Sequence, residues 1–133
     1  MYTFRSLFRS AVSIGAGYLV TALLTGILYT IIQQLVVRGL VEEQFFSRNE
    51  IVLGIVTAVF SVIGGFVLGV IAPKFPLIHA SIFVAVFTLI LLFGSLSPFD
   101  AFFVWLQVAP GMIIGSSLVL LKKKGTQNIG SLT

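Results

Sequence analysis

Residues 50–73 read EIVLGIVTAVFSVIGGFVLGVIAP, and nothing between Glu50 and Pro73 is charged. As an α-helix rising about 1.5 Å per residue, this stretch just crosses a hydrocarbon layer of about 30 Å. Gly54, Ala58, Ser61, Gly65, Gly69 and Ala72 recur at three- and four-residue steps, which keeps all six on one narrow face, while Val, Ile, Leu and Phe fill the others. Lipid tails supply no hydrophobic force between helices. A groove of the Ser61-x-x-x-Gly65-x-x-x-Gly69 kind instead lets a second backbone come close and gain dispersion contacts. The helix is therefore expected at the centre of a membrane bundle.

Composition agrees. The 133 residues are 58% hydrophobic and only 9% charged, with a mean hydropathy of +1.15, whereas soluble domains carry about 25% charged residues. Eight Lys and Arg against four Asp and Glu give a net charge of +4. These charges sit at the ends of apolar runs, where they read as topology signals rather than a nucleic-acid patch. With no cysteine, disulfides, thiolate catalysis and thiolate metal sites are excluded together. The one histidine cannot build a metal site alone, and no cofactor is expected.

Working outward, four spans are expected over 11–37, 50–72, 77–96 and 98–121 of a single membrane domain, 1–133. The first follows Arg5 and Arg9, and its uncharged run is far too long for a signal-peptide core, so it reads as an uncleaved span that must tilt or project from the bilayer. Ser13, Gly17, Thr21, Thr25, Tyr29 and Gln33 run along it, with Tyr18, Ala22, Gly26 and Thr30 beside them. The connection RGLVEEQFFSRNE, residues 38–50, holds three of the four acids. Ser47 and Glu50 have the spacing of a capping box, and 38–50 is otherwise read as a solvated loop with two dipped aromatics, in preference to a turn of helix in the interface formed with Leu40, Val41, Phe45 and Phe46. Pro73 and Pro76 bracket a tight return. The third span is bulky and is expected on the outside, ending at Gly94, Ser95 and Leu96. Ser97, Pro98 and Asp100 give the fourth a hydroxyl cap, an N1 proline and an acid in the first turn. Pro110 within it predicts a kink and frees the Leu106 carbonyl. Gln107, Gly111 and Gly115 share a face there. Lys122, Lys123 and Lys124 stop the span, and 125–133 reads as a flexible tail.

Alternate sides of such a bundle carry six basic residues (Arg5, Arg9, Lys74, Lys122, Lys123, Lys124) and two (Arg38, Arg48). That imbalance predicts both termini in the cytoplasm and, with it, a multi-pass inner-membrane protein. No Asp, Glu, Lys or Arg lies in the centre of any span, which weighs against proton and cation couplers. The groups left at depth hydrogen-bond without ionising: Tyr18, Thr21, Thr25, Tyr29, Ser61 and Gln107. All but Ser61, which belongs to the packing face, form with Pro110 a candidate polar pocket, whose dull alternative is interhelical bonding. His79 is expected to bond the last carbonyls of the second span. Trp105 suits an interfacial position.

The segments GGFVLGVIAP, PLIHA and WLQVAPGMIIGSSL, followed by a basic end, resemble a pattern of uncharacterised small four-span bacterial integral membrane proteins. The resemblance covers roughly the last half of the chain and implies the four-span fold and a bacterial origin, with no activity attached. The expected fold class is thus an all-α membrane protein, a four-transmembrane-helix bundle with both termini cytoplasmic. The expected function is non-enzymatic: assembly, with a second copy or another membrane protein, through the small-residue faces of Gly54, Ala58, Ser61, Gly65, Gly69, Gly111 and Gly115. The alternative is a minimal channel or carrier subunit with a polar path by the first and fourth spans. The bilayer is the expected partner in either case, and nucleic acid is not.

Overall fold

Glycine determines which backbones touch. The structure, a computed structural model, describes residues 3–72, 74–94 and 96–131, and consists of α1 (Phe4–Val37), the single turn α2 (Phe45–Arg48), α3 (Glu50–Ile71), α4 (Pro76–Phe93) and α5 (Pro98–Gly130). Among the described residues α1, α3, α4 and α5 are long and apolar enough to cross a membrane, and there is no strand. The protein is an all-α, multi-pass four-helix bundle. An even number of crossings leaves its two ends on the same side, called the termini end below.

The most intimate contact joins α3 to α5. A Cβ added at Gly111 would lie 2.6 Å from Ser61 Cβ and 2.8 Å from the Ala58 carbonyl oxygen. One added at Gly65 would run into the backbone of Met112, and one at Gly115 into the Val62 carbonyl and the Phe66 nitrogen. Gly69 receives Val119. Ser116 Oγ completes the seam by donating to the Gly65 carbonyl at 3.0 Å, a bond buried between the helices. The small-residue face of α3 is thus filled by α5 of the same chain.

A second crossing brings in α1. A Cβ at Gly17 would stand 2.9 Å from Leu68 Cβ and 3.0 Å from the Gly64 carbonyl, and a Cβ at Gly64 would collide with Thr21 Oγ1. Gly64 and Gly65 are adjacent and so point about 100° apart, which lets α3 accept one helix on each of two faces. Around this double crossing lie Leu68, Met112, Ala80, Phe83 and Val108, the buried apolar cluster. The third span, α4, lies towards the outside: Pro76, His79, Ala80 and Phe83 are its buried residues. Trp105 ties it to α5, its Nε1 donating 2.9 Å to Thr88 Oγ1, which in turn donates to the Val84 carbonyl.

The helices are longer than the spans expected of them. α1 begins at Phe4 rather than at 11, and Arg9 Nε donates to the Ile71 carbonyl at 3.0 Å, capping the end of α3. At the other end the Tyr29 ring stacks on Phe46 of α2 at 5.4 Å. The 34 residues of α1 make about 51 Å of helix, well beyond the thickness of a hydrocarbon core of about 30 Å. It stops in a Schellman turn: Gly39, at φ +69°, donates to the Val36 carbonyl, and Leu40 to that of Leu35.

Several expectations are corrected here. Ser47 does not cap α3: its hydroxyl donates to the Gln44 carbonyl, because 45–48 has already closed into the turn α2, and Asn49 precedes α3 without a side-chain cap. The connection is therefore one helical turn rather than wholly loop. α4 ends at Phe93 rather than 96, since Gly94 takes an extended conformation. The tail expected to be flexible is helical through Gly130, with Thr126 Oγ1 bonded to the Lys122 carbonyl and Ser131 closing the end. Lysines end a hydrophobic span without ending a helix. α5 runs unbroken through Pro110. Ser97 does cap α5, accepting from the Asp100 nitrogen. Pro73, Ser95 and the last two positions of the expected tail, 132–133, lie outside the described residues.

Two glycine-to-alanine changes test this arrangement. Gly65→Ala is expected to lower stability by about 1–3 kcal/mol through overpacking. Gly26→Ala, where nothing lies within 4 Å of the new methyl, should be neutral or slightly stabilising through helix propensity. Thermal unfolding in mild detergent measures both.

Candidate functional site

The two-sided packing on α3 leaves a gap between the helices it holds. At the termini end α1 and α4 are fastened together: His79 Nε2 lies 2.9 Å from Ser10 Oγ, and the Tyr18 ring meets Phe83 at 6.4 Å between centroids. Farther along they part around a cavity of ≈ 240 Å³. Helix α1 lines it with Tyr18, Thr21, Ala22, Thr25 and Tyr29, and α3 with Thr57. The opposite wall is Phe83 and Phe87 of α4, stacked at 5.8 Å, and the floor is Val104, Gln107 and Val108 of α5. Tyr18, Ala22 and Tyr29 are exposed, so the cavity opens on the flank of the bundle.

Its chemistry is that of neutral hydrogen bonding. Thr21 and Thr57 donate along their own helices, to the Gly17 and Leu53 carbonyls at 3.1 and 2.9 Å, which leaves their oxygen lone pairs free to accept. Thr25 Oγ1 is buried with no hydrogen-bond partner among the described residues. The Gln107 amide also has none there. Gly54 gives that amide its seat: a Cβ at Gly54 would lie 3.1 Å from Gln107 Nε2 and 3.5 Å from Phe103 Cζ. An unpaired hydroxyl or amide in apolar surroundings costs several kcal/mol. Both groups therefore call for water or a bound molecule. No Asp, Glu, Lys, Arg or His lines the cavity, and among the described residues no group of them is placed to hold a metal ion.

Five of the six sequence-derived pocket residues, Tyr18, Thr21, Thr25, Tyr29 and Gln107, line this one cavity, and Pro110 does not. Pro110 lies about one turn farther along α5, beside the Gly111 contact with α3. Ala58, Ser61, Gly65, Gly69, Gly111 and Gly115 lie in the α3–α5 seam, and Gly54 serves the cavity instead. The sequence reading missed Thr57, Phe83, Phe87 and Gly64. Thr57 had a signal, since it stands three residues after Gly54 and four before Ser61. Phe83 and Phe87 are spaced one helical turn apart but are lost among the other phenylalanines.

His79 also differs from expectation. It bonds not the end of α3 but the start of its own helix and α1: Nδ1 is 3.1 Å from the Phe75 carbonyl, and Nε2 faces Ser10. Arg9 has taken the α3 carbonyl in its place. Ser10 Oγ meanwhile donates to the Ser6 carbonyl at 2.9 Å. A neutral ring carries one N–H: with Nδ1–H donated to the Phe75 carbonyl, Nε2 accepts the Ser10 proton and both ring contacts are made at the expense of the Ser10–Ser6 bond, whereas Nε2–H towards Ser10 leaves Nδ1 against a carbonyl. Phe75 itself stands at φ +49°, a left-handed conformation that is an outlier for a bulky residue. Its carbonyl accepts from the Ile78 nitrogen as well as facing His79, so the strained turn is held from two sides.

No family model matches the chain, and no curated protein or solved structure matches it. Function is therefore read from the cavity's own chemistry.

The His79 fastening has a measurable signature. In a double-mutant cycle, Ser10→Ala and His79→Ala should couple by about 1 kcal/mol, the scale of a side-chain hydrogen bond between membrane helices. Unfolding in detergent gives the coupling, and additive losses would mean that the contact contributes nothing.

Proposed function

We propose that this is a non-enzymatic membrane subunit that binds a neutral amphipathic molecule, taken laterally from the bilayer into the cavity between α1 and α4. The observation that carries the reading is the convergence of the Thr25 hydroxyl and the Gln107 amide, both without protein partners, on a cavity free of charge. A ligand suited to it has an apolar body for the Phe83 and Phe87 wall and one or two carbonyl or hydroxyl oxygens for Gln107 and the threonines. Gln107 Nε2 donates to such an oxygen, and the lone pairs of Thr21 and Thr57 accept from a ligand hydroxyl. With no ionisable group in the lining beyond the tyrosines, coupling to a proton gradient is not part of the proposal. The reading develops the carrier alternative of a polar path by the first and fourth spans, with a side opening instead of a pore.

A second reading, assembly, keeps one observation in its favour. The small residues of α3 and α5 are occupied within the chain, but Gly15 and Gly26 of α1 have nothing within 4 Å of an added Cβ, and Ala22 and Thr30 are exposed beside them. That face is where a second copy or another membrane protein would approach.

Gln107→Leu separates ligand binding from stability. The variant should unfold within about 1 kcal/mol of the wild type while retaining roughly a tenth or less of the small molecule that co-purifies with it, as expected for losing about 1.5 kcal/mol of hydrogen bonding. Native mass spectrometry of protein taken directly from its membrane makes the comparison. Equal retention by both proteins, or a wild type carrying only bulk lipid, would refute the proposal.

A further inference from the structure

A second groove lies at the termini end, where α3 stops at Ile71 and α5 continues to Gly130. Beyond that step α5 stands without α3 beside it. Val119, Lys122, Lys123, Thr126 and Gln127 stand at positions i, i+3, i+4, i+7 and i+8 and so form one stripe along α5. With Phe66 and Val70 of α3 the stripe encloses a groove of ≈ 450 Å³. Its composition changes with height. The deep part is Phe66, Val70 and Val119, all apolar, and the outer part is two ammonium groups, a hydroxyl and an amide. From Val119 to Thr126 is about 10 Å along the helix axis, which matches the step from acyl chains to headgroup phosphates at a bilayer surface.

The cations are not neutralised by the protein. Among the described residues the one ion pair is Arg48 with Glu42, at the opposite end of the bundle, and Lys122, Lys123 and Lys124 are exposed and form none. Of the three, Lys122 and Lys123 line the groove and Lys124 does not. Thr126 donates its proton to the Lys122 carbonyl, which fixes its rotamer and holds its oxygen in place beside the lysines. Arg9, the nearest base on α1 to the end of α3, is already engaged with the Ile71 carbonyl.

We propose that this groove binds an anionic phospholipid, with the headgroup phosphate held by Lys122, Lys123 and Gln127 and the start of an acyl chain laid against Val119, Val70 and Phe66. Charge complementarity selects an anionic headgroup, and the apolar floor selects a lipid over a soluble phosphate. The role is independent of the flank cavity, which lies towards the other end of the bundle and carries no charge. The helical course of α5 past its lysines keeps the two ammonium groups over the groove.

The test uses the full chain in mild detergent with phosphatidylglycerol and phosphatidylcholine of matched chains, followed by native mass spectrometry. Wild-type protein is expected to retain phosphatidylglycerol in preference to phosphatidylcholine. Lys122→Gln with Lys123→Gln should weaken that retention roughly thirty-fold, from about five-fold for each cationic contact near a membrane surface, whereas Lys124→Gln should keep most of it. Circular dichroism melts in lipid-free detergent check that the double variant is folded, and exposed positions make that the expected result. Should it melt early, Gln127→Leu with Thr126→Val provides a second probe, expected to weaken retention without changing charge. Equal retention of the two lipids by the wild type, equal loss in Lys124→Gln, or displacement of the lipid by millimolar inorganic phosphate would each overturn the proposal.

Discussion

Close backbone approach between α3 and α5 is the constraint on which the rest depends. In a bilayer, apolar side chains gain nothing by leaving lipid for protein, so cohesion has to come from contacts that lipid cannot make. Gly65 against Met112, Gly111 against Ser61 and Gly115 against Val62 provide them, and the buried bond from Ser116 to the Gly65 carbonyl sits in the same seam. Adjacent glycines at 64 and 65 then allow α3 to receive α1 on one side while holding α5 on another. The flank cavity results from this arrangement. Two helices packed on different faces of a third diverge, and the space between them is only partly filled by α4.

Much of this was legible in the sequence because lipid imposes simple rules. Uninterrupted apolar length located the four spans, and the four-residue rhythm of Gly, Ala and Ser marked the face of α3 on which α5 lies. Placing Tyr18, Thr21, Thr25, Tyr29 and Gln107 in one candidate pocket needed only the idea that polar groups at depth turn away from lipid. Partner identity was harder. A smooth groove looks the same whether a helix of the same chain or of another protein fills it, and Gly54 shares the rhythm of Gly65 yet faces the Gln107 side chain.

What the sequence concealed depends on contacts between distant residues or on helix ends. Ser10 and His79 are separated by 69 positions, and the ring's partner was sought on α3, where Arg9 had precedence. Helix ends misled in both directions. Phe4 and Gly130 extend α1 and α5 past the apolar limits, since charge stops a hydrophobic run but not backbone hydrogen bonding. Ser47 has a capping spacing, but the turn α2 claims its hydroxyl first. Phe83 and Phe87 entered the cavity through the rotation of α4, which periodicity alone does not set.

The uneven fastening of α1 has a mechanical meaning. Its tight crossing with α3 is at Gly17, and its bonds to α4 and to the end of α3 come from Ser10 and Arg9, all in the part nearest the termini. Past Gly17 the rod is steadied by Thr21 on Gly64, by the Tyr29 ring on Phe46 and by the burial of Ile32. It rests like a beam on two supports. From Thr21 to Ile32 is about 17 Å of helix, and no residue between them is buried. The flank opening lies under that span, so its width is governed by the two supports and not by packing along the opening itself.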